Sequence, residues 1–281
     1  MKRLVLTLAL LLPTVAFAQT TYDEGLSFGA RASVKADAKL APGLHLTAHE
    51  ETRYYSGAGD LLRFYSGVGL EYKVLPFLKL GAEYELINRM KPDDKEKDDD
   101  YSWSVRHRGN FSATGTFRAG NWQFGVKETF RMTYRPGDMN TYQAPRNAFV
   151  LKSKASVKYR GWQNVIPFAA FEVRNTLNDA AYSGTYHASA KDAVDIYTNE
   201  TFLGYTHAYV NRLRAQLGVT ARFSKHHELE FYLLGDSYKD KSIDTNREGS
   251  ESWKSNGLVL KSIDWYTGYM LTAGVSYKWS F

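Results

Sequence analysis

The sequence has no cysteine. Disulfides, thiolate metal sites and cysteine nucleophiles are therefore excluded, as is lipoprotein processing after an export signal. Long apolar runs are missing too. Beyond the first residues none approaches the roughly 18 that a membrane-spanning helix needs; Val165 to Phe171 is typical of the longest. Mean hydropathy is −0.44 and apolar residues make up 43% of the chain. That argues against a helical membrane protein but not against a barrel, whose lipid-facing residues alternate with lumen-facing ones. Net charge is +6, or +4 without Lys2 and Arg3. This is too mild to suggest nucleic acid, and no recognition motif for one is present. A phosphate-binding glycine loop and a redox motif are also absent, so no cofactor is expected.

What the chain does have is aromatic residues, 15% of the total, many of them spaced with a period of two. The last segment places Tyr269, Leu271, Ala273, Val275, Tyr277, Trp279 and Phe281 on one face. Met270, Thr272, Gly274, Ser276, Lys278 and Ser280 fall on the other. Such alternation makes a strand with one apolar face. A soluble sandwich strand also alternates, but three alternate aromatics at the extreme C-terminus fit an outer-membrane strand better. There the rings sit at the membrane interface, and Tyr277, Trp279 and Phe281 would form the C-terminal assembly signal. The N-terminus agrees. Lys2 and Arg3, the apolar stretch Leu4 to Leu12 and the small-x-small site Ala16-Phe17-Ala18 describe a secretory signal over residues 1–18, cleaved before Gln19. Residues 19–281 then form a single domain, exported to the outer membrane of a Gram-negative bacterium.

Alternating segments run the length of this domain, joined by short and long connections in turn. Short turns fall at Ala41-Pro42-Gly43, Leu75-Pro76, Ala119-Gly120-Asn121, Gly161-Trp162-Gln163-Asn164 and His226-His227. Longer connections cover Lys91–Asp100, the stretch up to Asn147, Thr176 to about Gly204, and Lys239 to about Gly257. The pattern predicts an all-β, up-and-down antiparallel transmembrane barrel of about 10–12 strands, with short periplasmic turns and longer external loops. About eleven strands can be counted. Because single-chain bacterial barrels normally have an even number, twelve is slightly favoured over ten.

Several short motifs carry a resemblance. They are Leu70-Glu71-Tyr72-Lys73-Val74 with Leu78-Lys79-Leu80-Gly81-Ala82-Glu83-Tyr84 and Asn88-Arg89, then Arg106-His107-Arg108, Pro167-Phe168 with Glu172, and Asn211-Arg212-Leu213-Arg214. In this order, ahead of an aromatic C-terminus, they resemble an uncharacterised outer-membrane β-barrel family typical of Bacteroidota, domain of unknown function 2490. The chain departs from it in the long segment Leu177–Glu200. The resemblance implies a barrel and carries over no catalytic residue.

The parity opposite the apolar faces collects charge: Arg53, Arg63, Glu83, Glu85, Arg106, Arg108, Lys127, Arg131, Lys152, Lys154, Glu172, Arg174, Arg212, Arg214, Glu230 and Asp236. An Arg or Lys facing lipid at mid-membrane costs about 2–4 kcal/mol, so one shared parity points to a charged lumen. Its core is expected to be Glu83, Glu85, Arg106, Arg108, Glu172, Arg174, Arg212 and Arg214, either bracing and filling a narrow barrel or lining a water path that favours anions. Glu128 and His107 break the pattern by falling on the lipid parity, where a bulge or a place near the rim would be needed.

Other candidates are weaker. The run from Asp93 to Asp100 reads as a solvated acidic loop, with weak divalent-cation binding at the lipopolysaccharide surface as its alternative. His187-Ala188-Ser189 with Glu200 could supply a Ser–His–acid set for an outer-membrane lipid acyl hydrolase, although the segment reads as loop. His45, His49 and Glu51 share a strand face at a spacing that could hold a metal, but a hydrogen-bonded lumen role fits them better. The function expected is a small passive diffusion channel or a structural wall component. A plugged barrel serving as partner or anchor in an envelope complex is the alternative, and a lipid hydrolase the remote one. The expected partners are outer-membrane lipid, lipopolysaccharide and the insertion machinery; nucleic acid is not one.

Overall fold

The structure is a computed structural model that describes residues 20–56, 61–92, 101–188 and 195–281. The expected signal peptide, the acidic run Asp93–Asp100 and Ser189 lie outside the described residues.

In chain order the strands are β1 (Thr20–Ala41), β2 (Leu44–Ser56), β3 (Leu61–Leu75), β4 (Leu78–Pro92), β5 (Tyr101–Ala119), β6 (Trp122–Tyr134), β7 (Asn147–Tyr159), β8 (Val165–Asp179), β9 (Tyr182–Ala188), β10 (Asp195–Phe202), β11 (His207–Arg222), β12 (His227–Thr245) and β13 (Leu260–Ser280). Eleven of them close into a barrel, while β9 and β10 pair only with each other. Chain neighbours in the wall run antiparallel, β8 pairing with β11 beyond the β9–β10 hairpin.

The seam is different. β1 and β13 lie parallel, from Thr20 opposite Asp264 to Asp37 opposite Ser280. The count falls within the expected 10–12 strands and the wall is antiparallel apart from this pair, while the slight preference for twelve is corrected. When strands alternate in direction, an odd number leaves the first and last pointing the same way, so eleven can close only through a parallel pair. β1 is a full member of the wall, held by β13 on one side and β2 on the other. Hydrogen bonding continues to the last residue. Phe281 N–H donates to Asp37 O, and Lys39 N–H to Phe281 O, both at 2.9 Å.

The two ends of the barrel differ. At the short-turn end Gly43 and Gly120 take φ of 79° and 57°, the left-handed turn conformation that a side chain would strain. At the long-loop end the described residues of the segment expected to be a loop from Thr176 are mostly strand: β8 continues to Asp179, and β9 and β10 follow. Its base packs on Ala180, Ile243 and Leu260 through Tyr182, Phe202 and Tyr205. The Tyr182 and Tyr205 hydroxyls donate to the carbonyls of Tyr142 and Thr141 at 2.6 and 2.7 Å, tying in the β6–β7 connection. A short helix, α1 (Glu251–Asn256), capped by Ser250, completes this layer.

Side-chain alternation separates the two faces of the wall. Outward Tyr269, Phe231 and Leu217 are more than half exposed, whereas inward Thr272 is sealed. Large inward rings find room because bare glycines face them across the register. Tyr232 lies over Gly274 and Phe168 over Gly218; a Cβ on Gly274 would come within 2.1 Å of the Tyr232 ring.

Candidate functional site

Inward parity on β4 brings Glu83 and Glu85 into the barrel, and glycine decides what reaches them. Gly67, directly opposite His49, lets the imidazole lie flat across β3. His49 Nε2 thereby comes within 3.3 Å of Glu85 Oε1, two strands away, and Nδ1 within 3.6 Å of Glu83 Oε2. Asn110 donates to both carboxylates, at 2.9 Å to Glu83 and 2.8 Å to Glu85. Arg108 Nη1 reaches Glu85 Oε2 at 3.3 Å, and Arg131 Nε donates to Asn110 Oδ1 at 2.9 Å.

A second cluster forms where β7, β8, β11 and β12 face β1. Arg214 grips Asp236 with two bonds, Nε to Oδ1 at 2.6 Å and Nη2 to Oδ2 at 3.2 Å. Its Nη1 reaches Glu172 at 3.3 Å, and Lys152 takes the other Glu172 oxygen at 3.0 Å. Arg31 and Arg212 close on Asp236 Oδ2 at 3.9 and 4.0 Å, and the Asp236 side chain is fully buried. Bidentate pairing in a confined place is the strong form of this interaction. Between the clusters, Arg53 pairs with Glu51 and stacks 4.0 Å over the Tyr65 ring.

Not every expected member joins. Glu85 with Arg108, Glu172 with Arg214, and Arg212 with Asp236 come together, while Glu83 meets His49 and Asn110 rather than an arginine. Among the described residues Arg63, Arg89, Arg106, Arg131, Arg135 and Arg174 form no ion pair. Below this layer a cavity of about 220 Å³ lies between Glu71 and Glu83 on one wall and Lys127, Arg131 and Lys154 on the other. Tyr277, Trp279 and Phe281 belong to the outward face at the short-turn end, with the last two rings 4.8 Å apart.

The residues on lipid parity are accommodated without a bulge, since the register is unbroken at both. His107 Nδ1 lies 2.7 Å from the Tyr84 hydroxyl, and the Glu128 carboxylate accepts from Ser153 at 2.7 Å. Glu50, which also faces outward, accepts from Ser66 at 2.9 Å in the same cross-strand manner. The suggested metal set is dispersed: His45 bonds Asp37 at 2.8 Å, His49 turns to Glu85, and Glu51 holds Arg53. His49, Glu83 and Glu85 do bring donor atoms within 4.8 Å of one another. However, Arg108 and Asn110 already direct N–H groups at those carboxylates, an arrangement unsuited to a cation. Of the hydrolase set, His187 pairs with Ile196 on the β9–β10 hairpin, while Glu200 falls between Thr198 and Thr201, well along β10.

Comparison with known proteins gives a family. The family model described as "Protein of unknown function (DUF2490)" matches residues 28–247, most of the barrel. The chain belongs to this family. No curated protein matches the DUF2490 chain in sequence. Solved structures similar to it include the ferric-catecholate import receptor Fiu of E. coli K12, at 9% identity and TM-score 0.25, covering 71% of this chain and 46% of the receptor. The siderophore receptor PirA of Acinetobacter baumannii is 7% identical at TM-score 0.26, covering 84% of this chain and 46% of the receptor. The DUF2490 chain thus spans less than half the length of either receptor, a likeness too distant to bear on function.

Sequence reasoning missed five inward residues of this DUF2490 barrel. Arg31, Lys35 and Asp37 on β1 share the inward parity of Arg53, which lies directly opposite Arg31 across the pair. Arg89 was hidden in a motif end, and Arg135 by the proline that follows it. The inward series Lys127, Thr129, Arg131 and Thr133 predicts Arg135 once it is carried one step further.

Proposed function

We propose that this chain spans the outer membrane as a β-barrel and passes small anionic solutes by passive diffusion. The membrane placement is supported by the closed wall, which leaves no sheet edge, and by its exposed aromatic and aliphatic outer face. Tyr277, Trp279 and Phe281 would anchor the seam at the short-turn rim and assist assembly by the insertion machinery.

The observation that carries the anion reading is the surplus of unpaired guanidinium groups in the interior. Glu85, Glu172 and Asp236 are each taken up by basic partners, while six arginines keep their charge uncompensated by any ion pair among the described residues. Rings of such charge in a confined lumen favour anions over cations. A second reading has its own support: Tyr65, Asp236 and Thr272 are sealed at mid-height, 2%, 2% and 0% exposed, as a braced barrel acting as wall or anchor requires. Planar-bilayer recording of the purified barrel separates the two. Steady conductance with reversal potentials on the anion side supports the channel, and a silent bilayer supports the anchor.

A further inference from the structure

Four of the unpaired arginines form a row. Arg63 on β3 stands directly opposite Arg89 on β4. Arg89 faces Ser104 on β5, and Ile87 faces Arg106, which puts Arg106 diagonal to Arg89 on the same inward face. His107 faces Tyr134, and one further step of that register sets Arg135 against Arg106. Three strands and the end of a fourth thus present guanidinium groups side by side near the long-loop mouth. Like charges opposed across strands destabilise a sheet, and burying a polar group without a partner adds to the cost. Both apply here. The Nε atoms of Arg63, Arg89 and Arg135 are buried with no hydrogen-bond partner, although the side chains as a whole are only half buried. The row is nonetheless held in place, with Arg63 lying 5.4 Å from the Tyr55 ring centre and contacting Tyr65.

We propose that this row is a binding site for a tetrahedral, multiply charged oxyanion of the phosphate class. The proposal rests on the cationic interior described above, but not on conduction. Arginine rather than lysine fits this ligand, because its planar fork matches two oxygens at once. The cavity nearer the short turns, by contrast, takes its basic groups mainly from lysines, Lys127, Lys152 and Lys154 with Arg131, and sets them against Glu71, Glu83 and Glu172. A carboxylate has two oxygens and one charge, too little to engage four forks. A phosphate group has four oxygens and close to two charges. Binding it would relieve the mutual repulsion of the row, so ligand and wall would stabilise each other.

The test is thermal unfolding and calorimetry of the full barrel in detergent, with inorganic phosphate against chloride at equal ionic strength. Phosphate should bind saturably and raise the unfolding midpoint. Arg89→Gln should weaken binding by roughly tenfold or more and should itself unfold at a higher temperature without phosphate, because one like charge has gone. Arg89→Lys should keep the charge and still lose most of the binding. Arg222→Gln, at the far end and paired with Glu228, should bind phosphate as the parent does. The proposal is overturned if phosphate acts no differently from chloride, if Arg222→Gln weakens binding equally, or if Arg89→Gln lowers the midpoint, which would make the row a brace. If phosphate binds but the bilayer is silent, the site stands and the channel falls. Anion conductance with no preference for phosphate binding has the opposite meaning.

Discussion

The barrel interior has two halves built from the same residue types with opposite outcomes. Where β11 and β12 face β8 and β1, arginine meets carboxylate: Arg214 holds both Asp236 and Glu172, with Arg31 and Arg212 within 4.0 Å of Asp236. Near the long-loop mouth of β3 to β6, arginine meets arginine, with Arg63 opposite Arg89. The first half is what stability asks for, since a buried carboxylate without cations is strongly disfavoured. The second finds only aromatic support within the chain, Arg63 resting against Tyr55 and Tyr65. Inward parity is therefore shared by both halves, and the carboxylates within reach of each side chain decide whether it braces the wall or is left free: Arg212 and Arg31 stand opposite arginines yet reach Asp236, whereas Arg174 does not.

The largest effect should come from the paired half. Asp236→Ala leaves Arg214 without its bidentate partner and should cost about 3–5 kcal/mol, read as a fall in the urea unfolding midpoint of the refolded barrel. Combining it with Arg214→Met should restore part of the loss, since coupled residues do not add. A fully additive double variant would show that the pair is not a unit. Next comes the parity on which both halves depend. Val275→Arg turns a charge toward lipid at a cost of about 2–4 kcal/mol, whereas Ser276→Arg points inward, opposite Glu230. Equal tolerance would mean that the inside and outside faces are wrongly assigned or that this strand does not lie in lipid. Gly274, although it also faces inward, is a poor control because the Tyr232 ring occupies its space. The smallest effect belongs to the unpaired half. Arg89→Gln should stabilise the ligand-free barrel by about 0.2–1 kcal/mol, and a loss of similar size would mean that the row is braced after all.

Much of this was legible in the sequence because a barrel repeats one simple rule. The strand faces, the short turns at Pro42-Gly43 and Gly120-Asn121, and the inward placement of Glu85, Arg108, Glu172 and Arg214 all follow from period two. Register does not. Nothing in the alternation says that Arg106 would stand beside other arginines while Arg108, two residues on, would meet Glu85. That difference depends on how far each strand slides past its neighbour. The parallel seam was hidden for a related reason, since closure is a property of the whole wall and not of any segment. The β9–β10 hairpin escaped notice because it stands outside the repeating wall, its base packing through Tyr182 and Phe202 on Ala180, Ile243 and Leu260.

The central claim is that unpaired arginines, rather than the paired cluster, set the ionic character of the interior. Reversal potential under a potassium chloride gradient tests it most directly, measured on the parent barrel and on the Arg89→Gln, Arg106→Gln double variant. The account predicts an anion-side potential in the parent that moves toward zero in the variant while both remain folded. A cation-side potential in the parent, or an unchanged one in the variant, would contradict it.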